Sequence, residues 1–469
     1  MNTVVLAPAA VDFRRAFLVN LASSTGGVAT RFVLGLLLAR LLQPAELGLY
    51  ALGLAVFSVA QMLRDAGVSA YLQREPELTP ARFSACLGLL ASTTLAGTLA
   101  LWLLAAPLAR QFDQPGLVPL LQVLSLAQLL SPFGVVMAAL QLRGLAAGPI
   151  AFVSRIGTLS HAGVALMLSV EGWGALGLAW AQVANVVVCG LAYAFMPTEG
   201  RNWWPSLRGW SEVLRFGLGA LFVSLLNGFN SVLPDLFLGQ LGSARQVGLL
   251  GRAQAAVGLL QAVAGHALSF GALPVLAGQH ARGQSLEPAL RRATALLTGL
   301  GWPLLALTVV YREPLVHLLY GPAWMDCTSA VLPLALAAAL GLVFAQLCAA
   351  LAAVGRPELA AWPTGLTLAA RIVLGFALFD GSLASFAWAL CAAACAVLPL
   401  QLWLCARYLG QPPRALLSAV GGSALAALAV VAVPWTLAPL AWLAALRWRR
   451  HPLLGEVLQL VRRRMTSRK

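Results

Sequence analysis

Twelve apolar runs divide this chain, and each is long enough to cross a bilayer as a helix. They cover residues 14–41, 45–72, 82–107, 116–142, 148–169, 173–197, 211–240, 245–273, 289–311, 327–354, 358–379 and 383–406. A helix needs about 20 residues to cross the hydrocarbon, and lipid offers no water to satisfy the backbone polar groups of any other open structure. The pattern therefore predicts an all-α integral membrane protein. A further apolar stretch, 414–446, is interrupted by Pro434 and Pro439 and predicts a short pair of helices, making 14 in all. Composition agrees, because 60% of the 469 residues are hydrophobic and only 10% are charged. A water-covered surface usually needs about 25%.

The charges that remain lie mainly between the runs, and their placement predicts orientation. With the N-terminus inside, only Arg40, Arg110, Arg245 and Arg312 fall outside. Arg14, Arg15, Arg74, Arg82, Arg143, Arg201, Arg208, Arg215 and the later loop arginines fall inside, with the whole basic tail from Arg447 to Lys469. Both termini are expected in the cytoplasm, which requires an even number of spans. The net charge of +15 comes from 30 arginines and the single Lys469. It forms no aromatic-interleaved patch, so a nucleic-acid partner is not expected. The tail mixes leucine and valine with arginine. It reads either as a basic amphipathic segment on an anionic leaflet or as a topology signal alone. Residues 1–13 lack the basic start and cleavage site of a signal peptide, so the first run is expected to be retained.

The chain also matches itself at an offset of 200. Residues 12–50 align with 212–250 without a gap, and nine of the 39 pairs are identical, among them Arg15/Arg215, Ser24/Ser224, Leu41/Leu241 and Gly48/Gly248. Asn20, Ser24, Gly27 and Arg31 fall on one helical face in the first run, and Ser224, Asn227, Ser231 and Asp235 repeat it in the seventh. Six spans per repeat give two halves of the same orientation, an arrangement that recurs in secondary transporters. The expected organisation is a six-helix lobe over 1–197, a second over 198–410, a helix pair over 411–446 and a basic cytoplasmic tail over 447–469.

Ionisable groups inside spans are costly and usually face a bundle interior or a water-filled cavity. The candidates are Arg31, Arg64, Arg155, Arg252 and Arg371, with Ser24 and Asn227 on the same polar faces. Arg155 and Arg252 lie near enough to run ends to snorkel instead. Arg64 and Asp65 are adjacent and point in different directions, so each could pair with another helix. Thr364, Thr367 and Arg371 share a face, as do Ser154, Thr158 and His161, while Gln182 and Asn185 add polarity to the sixth run. Asp65 and Asp235 are the only acids placed to sense an ion or to form an internal pair. Five arginines against two acids predict a net-positive cavity suited to a phosphate or pyrophosphate cargo. Gly26, Gly27, Gly217 and Gly219 would allow helices to approach closely where the lobes gate.

Little supports an enzyme. There is no glycine-rich phosphate loop, acidic metal site or Ser/His/Asp constellation, and the five histidines are scattered. The seven cysteines form no CxxC or Cys/His spacing. No metal or cofactor is expected.

The stretch ARLLQPAELGLYALGLAVFSVAQMLRDAGVSAYLQRE (39–75) resembles the opening of bacterial oligosaccharide flippases. These form the polysaccharide-export branch of the multidrug/oligosaccharidyl-lipid/polysaccharide exporter superfamily. The resemblance rests on a Pro-x-x-x-Gly-x-Tyr turn (Pro44, Gly48, Tyr50) and an Asp-x-Gly (Asp65, Gly67) near the end of the second run. DLFLGQLGSARQVGLLGRAQ (235–254) looks like the matching segment of the second lobe, with Leu250 and Gly251 departing from the usual Tyr and small polar residue.

The resemblance implies two six-helix lobes around a central cavity, with two peripheral C-terminal helices. It implies flipping of undecaprenyl-pyrophosphate-linked oligosaccharide from the cytoplasmic to the periplasmic leaflet of the bacterial inner membrane, for O-antigen, capsule or exopolysaccharide, with Arg31 placed for the head group. Membrane lipid, the polysaccharide polymerase and the export machinery are then the expected partners. A cation-coupled multidrug exporter of the same superfamily is the nearest alternative, but no acid lies between Asp12 and Glu46, where such exporters commonly carry one. A peptidoglycan-precursor flippase fits the turn less well. A membrane-embedded polyprenyl-sugar transferase would need a sizeable periplasmic loop, which the spacing of the runs does not provide.

Overall fold

A computed structural model of the chain describes residues 27, 30–75, 77–144, 147–196, 203–269, 272–434, 436–448 and 452–453. No strand occurs among them. Contacts divide the chain into two compact units, residues 1–240 and 241–469. Ser24, Asn20, Gly26 and most of the basic tail lie outside the described residues.

The first unit holds α1 (residues 30–41), α2 (Pro44–Asp65), α3 (Val68–Arg74), α4 (Pro80–Gln111) and α5 (Leu117–Leu130). It continues with α6 (Pro132–Arg143), α7 (Ala147–Val170), α8 (Gly174–Ala194) and α9 (Trp210–Leu241). Proline sets several of the starts. Pro44, Pro80 and Pro132 each begin a helix, where the missing N–H would have no partner anyway. Ahead of α2, the Gln43 N–H donates to Glu46 Oε2 at 2.8 Å, closing a capping box. The Pro-x-x-x-Gly-x-Tyr motif is thus the opening of a helix rather than a turn, and the turn itself is Leu42–Gln43.

On α4 the residues Leu95, Leu99, Trp102 and Leu103 form one exposed face, while Leu90, Thr94, Leu101 and Ala105 are buried. A contiguous apolar face of this size has no place in water and suits lipid. Lipid tails are as apolar as leucine, so close packing rather than water exclusion holds such helices together. Leu52, Phe57, Leu117, Leu120, Leu121 and Leu124 accordingly interlock in the centre of the unit. Gly53 lets α2 lie directly against Leu120.

The second unit holds α10 (Ala244–Ser269), α11 (Ala272–Ala281), α12 (Glu287–Val310), α13 (Arg312–Leu319) and α14 (Thr328–Val343). After these come α15 (Leu347–Ala353), α16 (Ala361–Leu378), α17 (Leu383–Tyr408), α18 (Pro413–Val431) and α19 (Ala438–Trp448). Short 3₁₀ turns occupy Pro322–Cys327 and Pro357–Ala360. Thr298 and Ser423 share a buried hydrogen bond of 2.8 Å between α12 and α18. Trp442 Nε1 of α19 donates to the Gly299 carbonyl at 3.0 Å. The C-terminal pair therefore packs on α12, and the break between its helices includes Pro434, as the sequence predicts.

Among the described residues, nine helices are long and apolar enough to cross a membrane, or 11 when two bent pairs are each taken as one span. The protein is a multi-pass membrane protein. This count is of the described residues only, so it does not test the expected 14. Most of the first run lies outside the described residues. The 26-residue α10 carries Arg245, Gln246, Arg252, Gln254 and Gln261, which lower its hydropathy. With 11 residues, α19 extends only about 16 Å. The run 116–142 is two helices bent by 48° at Ser131–Pro132, because proline removes a helical hydrogen bond. The joint between helices does recur at the offset of 200: α1 ends at 41 and α2 begins at Pro44, while α9 ends at Leu241 and α10 begins at Ala244.

Candidate translocation site

At the end of α2, Ala66 (φ 44°) and Gly67 (φ 77°) both adopt the left-handed conformation and break the helix before α3. The break sets Arg64 and Asp65 beside a cavity of 430 Å³ in the first unit, together with Ser58, Gln61, Ser69 and Ser224. Arg64 is buried, and its Nη1 contacts Ser131 Oγ at the bend between α5 and α6. Ser131 in turn donates to the Gln128 carbonyl at 2.7 Å. Asp65 takes a different partner and accepts from the Ser69 hydroxyl. Arg64 Nε has no hydrogen-bond partner, which leaves a charged donor beside the cavity. One cation, one carboxylate and several hydroxyls around a small cavity can hold a polar or anionic group.

Ser58, Gln61, Ser69 and Ser131 were not among the residues singled out from sequence. Ser58, Gln61 and Asp65 fall at i, i+3 and i+7, the same helical face signal that draws attention to the first run. Ser131 carries no such signal, since its link to Arg64 spans 67 residues.

Elsewhere in the first unit, Arg31 on α1 is exposed and makes no ion pair or hydrogen bond among the described residues. It lies near His161 on α7. Arg155, also on α7, is exposed. Thr158 turns its hydroxyl back to the Ser154 carbonyl at 2.8 Å, and Asn185 of α8 donates to the Gly157 carbonyl at 3.0 Å. On α9, Ser224, Asn227 and Ser231 are exposed along one face. Asp235 on the same face is half-buried and has no hydrogen-bond or ion-pair partner among the described residues.

The second unit holds its two candidate arginines in different surroundings. The Arg252 guanidinium stands 5.8 Å from the Tyr320 ring centre and 5.7 Å from that of Trp324, both buried. This aromatic cage binds the cation through its ring faces. Arg371 on α16 is half-buried. Its neighbours on that face, Thr364 and Thr367, donate to the Ala360 and Pro363 carbonyls.

With this geometry established, comparison with known proteins decides the family. Residues 37–329 match the family described as polysaccharide biosynthesis protein. The chain belongs to that family. No curated protein matches the sequence. Among solved structures, the chain resembles lipid II flippase MurJ in an inward closed conformation, with TM-score 0.73 and 11% identity over 94% of this chain and 99% of that one. It also resembles a multidrug resistance MATE family transporter of the MOP superfamily. The inward-facing form gives TM-score 0.58 and 15% identity over 83% of this chain and 97% of that one. The outward-facing form gives TM-score 0.58 and 15% identity over 85% and 96%. At such identities the likeness is one of fold. The fold is that of this lipid II flippase and this MATE transporter.

Proposed function

We propose that this protein flips a polyprenyl-pyrophosphate-linked oligosaccharide, with undecaprenyl as the carrier, from the cytoplasmic to the periplasmic leaflet by alternating access. The membrane is the bacterial inner membrane, with both termini in the cytoplasm. The product feeds O-antigen, capsule or exopolysaccharide assembly, and the polymerase and export machinery follow in sequence.

The observation that carries this reading is Arg31. It is an exposed guanidinium on an apolar helix without an ion pair or hydrogen bond among the described residues. A cation so placed avoids a heavy penalty only by facing water or an anion. A pyrophosphate supplies that anion, and guanidinium binds it through paired donors. Arg64, with its spare Nε donor, and Arg155 add to the positive field. The family supports polysaccharide assembly as the context, and the flippase fold supports movement rather than covalent chemistry.

The test deletes the gene in its host and complements it with wild type and with Arg31→Ala, while lipid-linked glycan is assayed in each leaflet. Glycan trapped on the cytoplasmic leaflet in the deletion and in the inserted Arg31→Ala variant is the expected result. Normal surface polysaccharide in the deletion, with no trapped intermediate and no redundant flippase, would overturn it and direct attention to drug export.

A further inference from the structure

A cavity in the second unit is unrelated to the site residues considered so far. It measures 890 Å³ and lies between α12 and α18, bounded by Arg291, Arg292, Ser418, Gly421 and Gly422, with Pro452 of the tail at its edge. The two helices run the same way. Residues 288–295 of α12 meet 417–422 of α18 at the cavity, and further along Thr298 bonds Ser423. Both helix N-termini, and the partial positive charge that each carries, therefore lie toward the same end. Arg291 stands seven residues before Thr298, about 10 Å nearer that end at 1.5 Å per residue.

The walls divide by chemistry. At the N-terminal end, Arg291 and Arg292 are exposed guanidinium groups, and Arg291 is only loosely paired with Glu287 at 3.7 Å. Deeper along the helices the lining is small and apolar, with Ala295, Ala419, Gly421 and Gly422. A Cβ placed on Gly421 would meet nothing within 4 Å, so this wall borders open space. The volume falls in the ~300–1,000 Å³ range of sites for molecules much larger than a phosphate ion.

We propose that this cleft is a binding site for an anionic glycerophospholipid. The Arg291/Arg292 pair takes the head-group phosphate, and the Ala/Gly wall takes the first part of an acyl chain. Charge complementarity at one end and a smooth apolar slot beyond it suit an amphiphile rather than a free anion. Arg291 and Arg292 stand in the first turns of an apolar helix, and Pro452 of the basic tail lines the same cleft, a combination that suits an anionic head group at a membrane surface. The site needs no cargo, so its failure leaves the flippase reading intact.

The full chain, purified in zwitterionic detergent, is titrated with phosphatidylglycerol, phosphatidylcholine and soluble glycerol 3-phosphate, while retained lipid and melting temperature are followed. Phosphatidylglycerol is expected to be retained and to raise the melting temperature, with phosphatidylcholine and glycerol 3-phosphate far weaker. The double variant Arg291→Gln/Arg292→Gln should weaken phosphatidylglycerol binding roughly thirtyfold, from about fivefold per basic residue. Gly421→Leu fills the slot while leaving both arginines, and should also reduce retention at least tenfold. If the double variant fails to fold, Gly421→Leu alone decides, because its new side chain enters open space. Equal retention of phosphatidylcholine, or binding within twofold of wild type in the folded variants, would overturn the proposal. Binding of glycerol 3-phosphate as tight as that of phosphatidylglycerol would overturn the lipid assignment in favour of a free phosphate site.

Discussion

Gly217 crosses Gly67 so closely that a Cβ built on Gly67 would lie 2.3 Å from the Gly217 α carbon. Around this crossing, Phe216 meets Tyr71 edge-on at 5.8 Å and lies under the Arg74 guanidinium at 4.8 Å. The segment leading into α9 is tied down as well: the Ser206 N–H donates to the Ser84 carbonyl at 2.9 Å, and Trp203 packs on Phe83. Just past the crossing, α9 bends by 56° between Gly219 and Ser224. The first turns of α9 are thus fastened to α3 and α4, and the bend separates them from the stretch that carries Asn227 and Asp235.

Gly67→Ala should be among the most damaging single-methyl changes in the chain. Its left-handed φ costs an L-residue about 1–2 kcal/mol, and forcing a methyl into backbone adds about 1–3 kcal/mol. A sharply lower melting temperature and lost flipping are expected. Gly219→Ala is the control, since its Cβ meets nothing within 4 Å. An unchanged melting temperature in Gly67→Ala would refute the close crossing.

Arg82 bridges Glu75 at 2.7 Å and Glu212 at 3.0 Å, linking the start of α4 to that of α9. Its side chain is 37% exposed and that of Glu212 is 58% exposed, so screening keeps the pair weak. A double-mutant cycle on Arg82→Ala and Glu212→Ala should give a weak coupling that shrinks further as salt is raised. A strong coupling that persists in high salt would show that the bridge, rather than the glycine crossing, holds this end.

What was legible in the sequence follows from the range of the interaction that produces it. Spans, the C-terminal pair and the joint repeated at 41–44 and 241–244 are local patterns, and the pattern alone yields them. The Asp-x-Gly motif was visible, but its reason was not, because Gly67 is needed where Gly217 crosses it, 150 positions away. Arg64 and Asp65 could be flagged as misplaced charges, yet the link to Ser131 depends on where α5 bends. The aromatic cage of Arg252 was equally hidden. Tyr320 and Trp324 reach it from a turn nearly 70 residues on, and no spacing within α10 announces it.

Arg252→Met keeps most of the side-chain bulk while removing the cation from between Tyr320 and Trp324. A cation over aromatic faces contributes about 0.5–2 kcal/mol, so the melting temperature should fall and flipping should fall with it. Arg252→Lys should recover part of both. Flipping lost in Arg252→Met at an unchanged melting temperature would instead assign Arg252 to the cargo.

Asp235 is the residue at which an ion gradient would be expected to drive the proposed flipping. It follows Pro234 on α9, six residues before the end of that helix, and its carboxylate is half-buried without a partner among the described residues. An ionised acid within a span costs roughly 2.5–3.5 kcal/mol on insertion scales. Binding a proton or a cation removes that penalty, whereas a purely structural acid would be expected to have a fixed partner. Asp235→Asn should therefore fold with equal or greater stability, since it deletes an unpaired charge. In proteoliposomes, flipping by wild type should respond to an imposed proton or sodium gradient, and flipping by Asp235→Asn should lose that response while any gradient-independent rate persists. A variant that remains gradient-driven would remove Asp235 from the coupling step. With both Asp235→Asn and Asp65→Asn in hand, the acid whose loss abolishes the gradient response while leaving the fold intact is the coupling site.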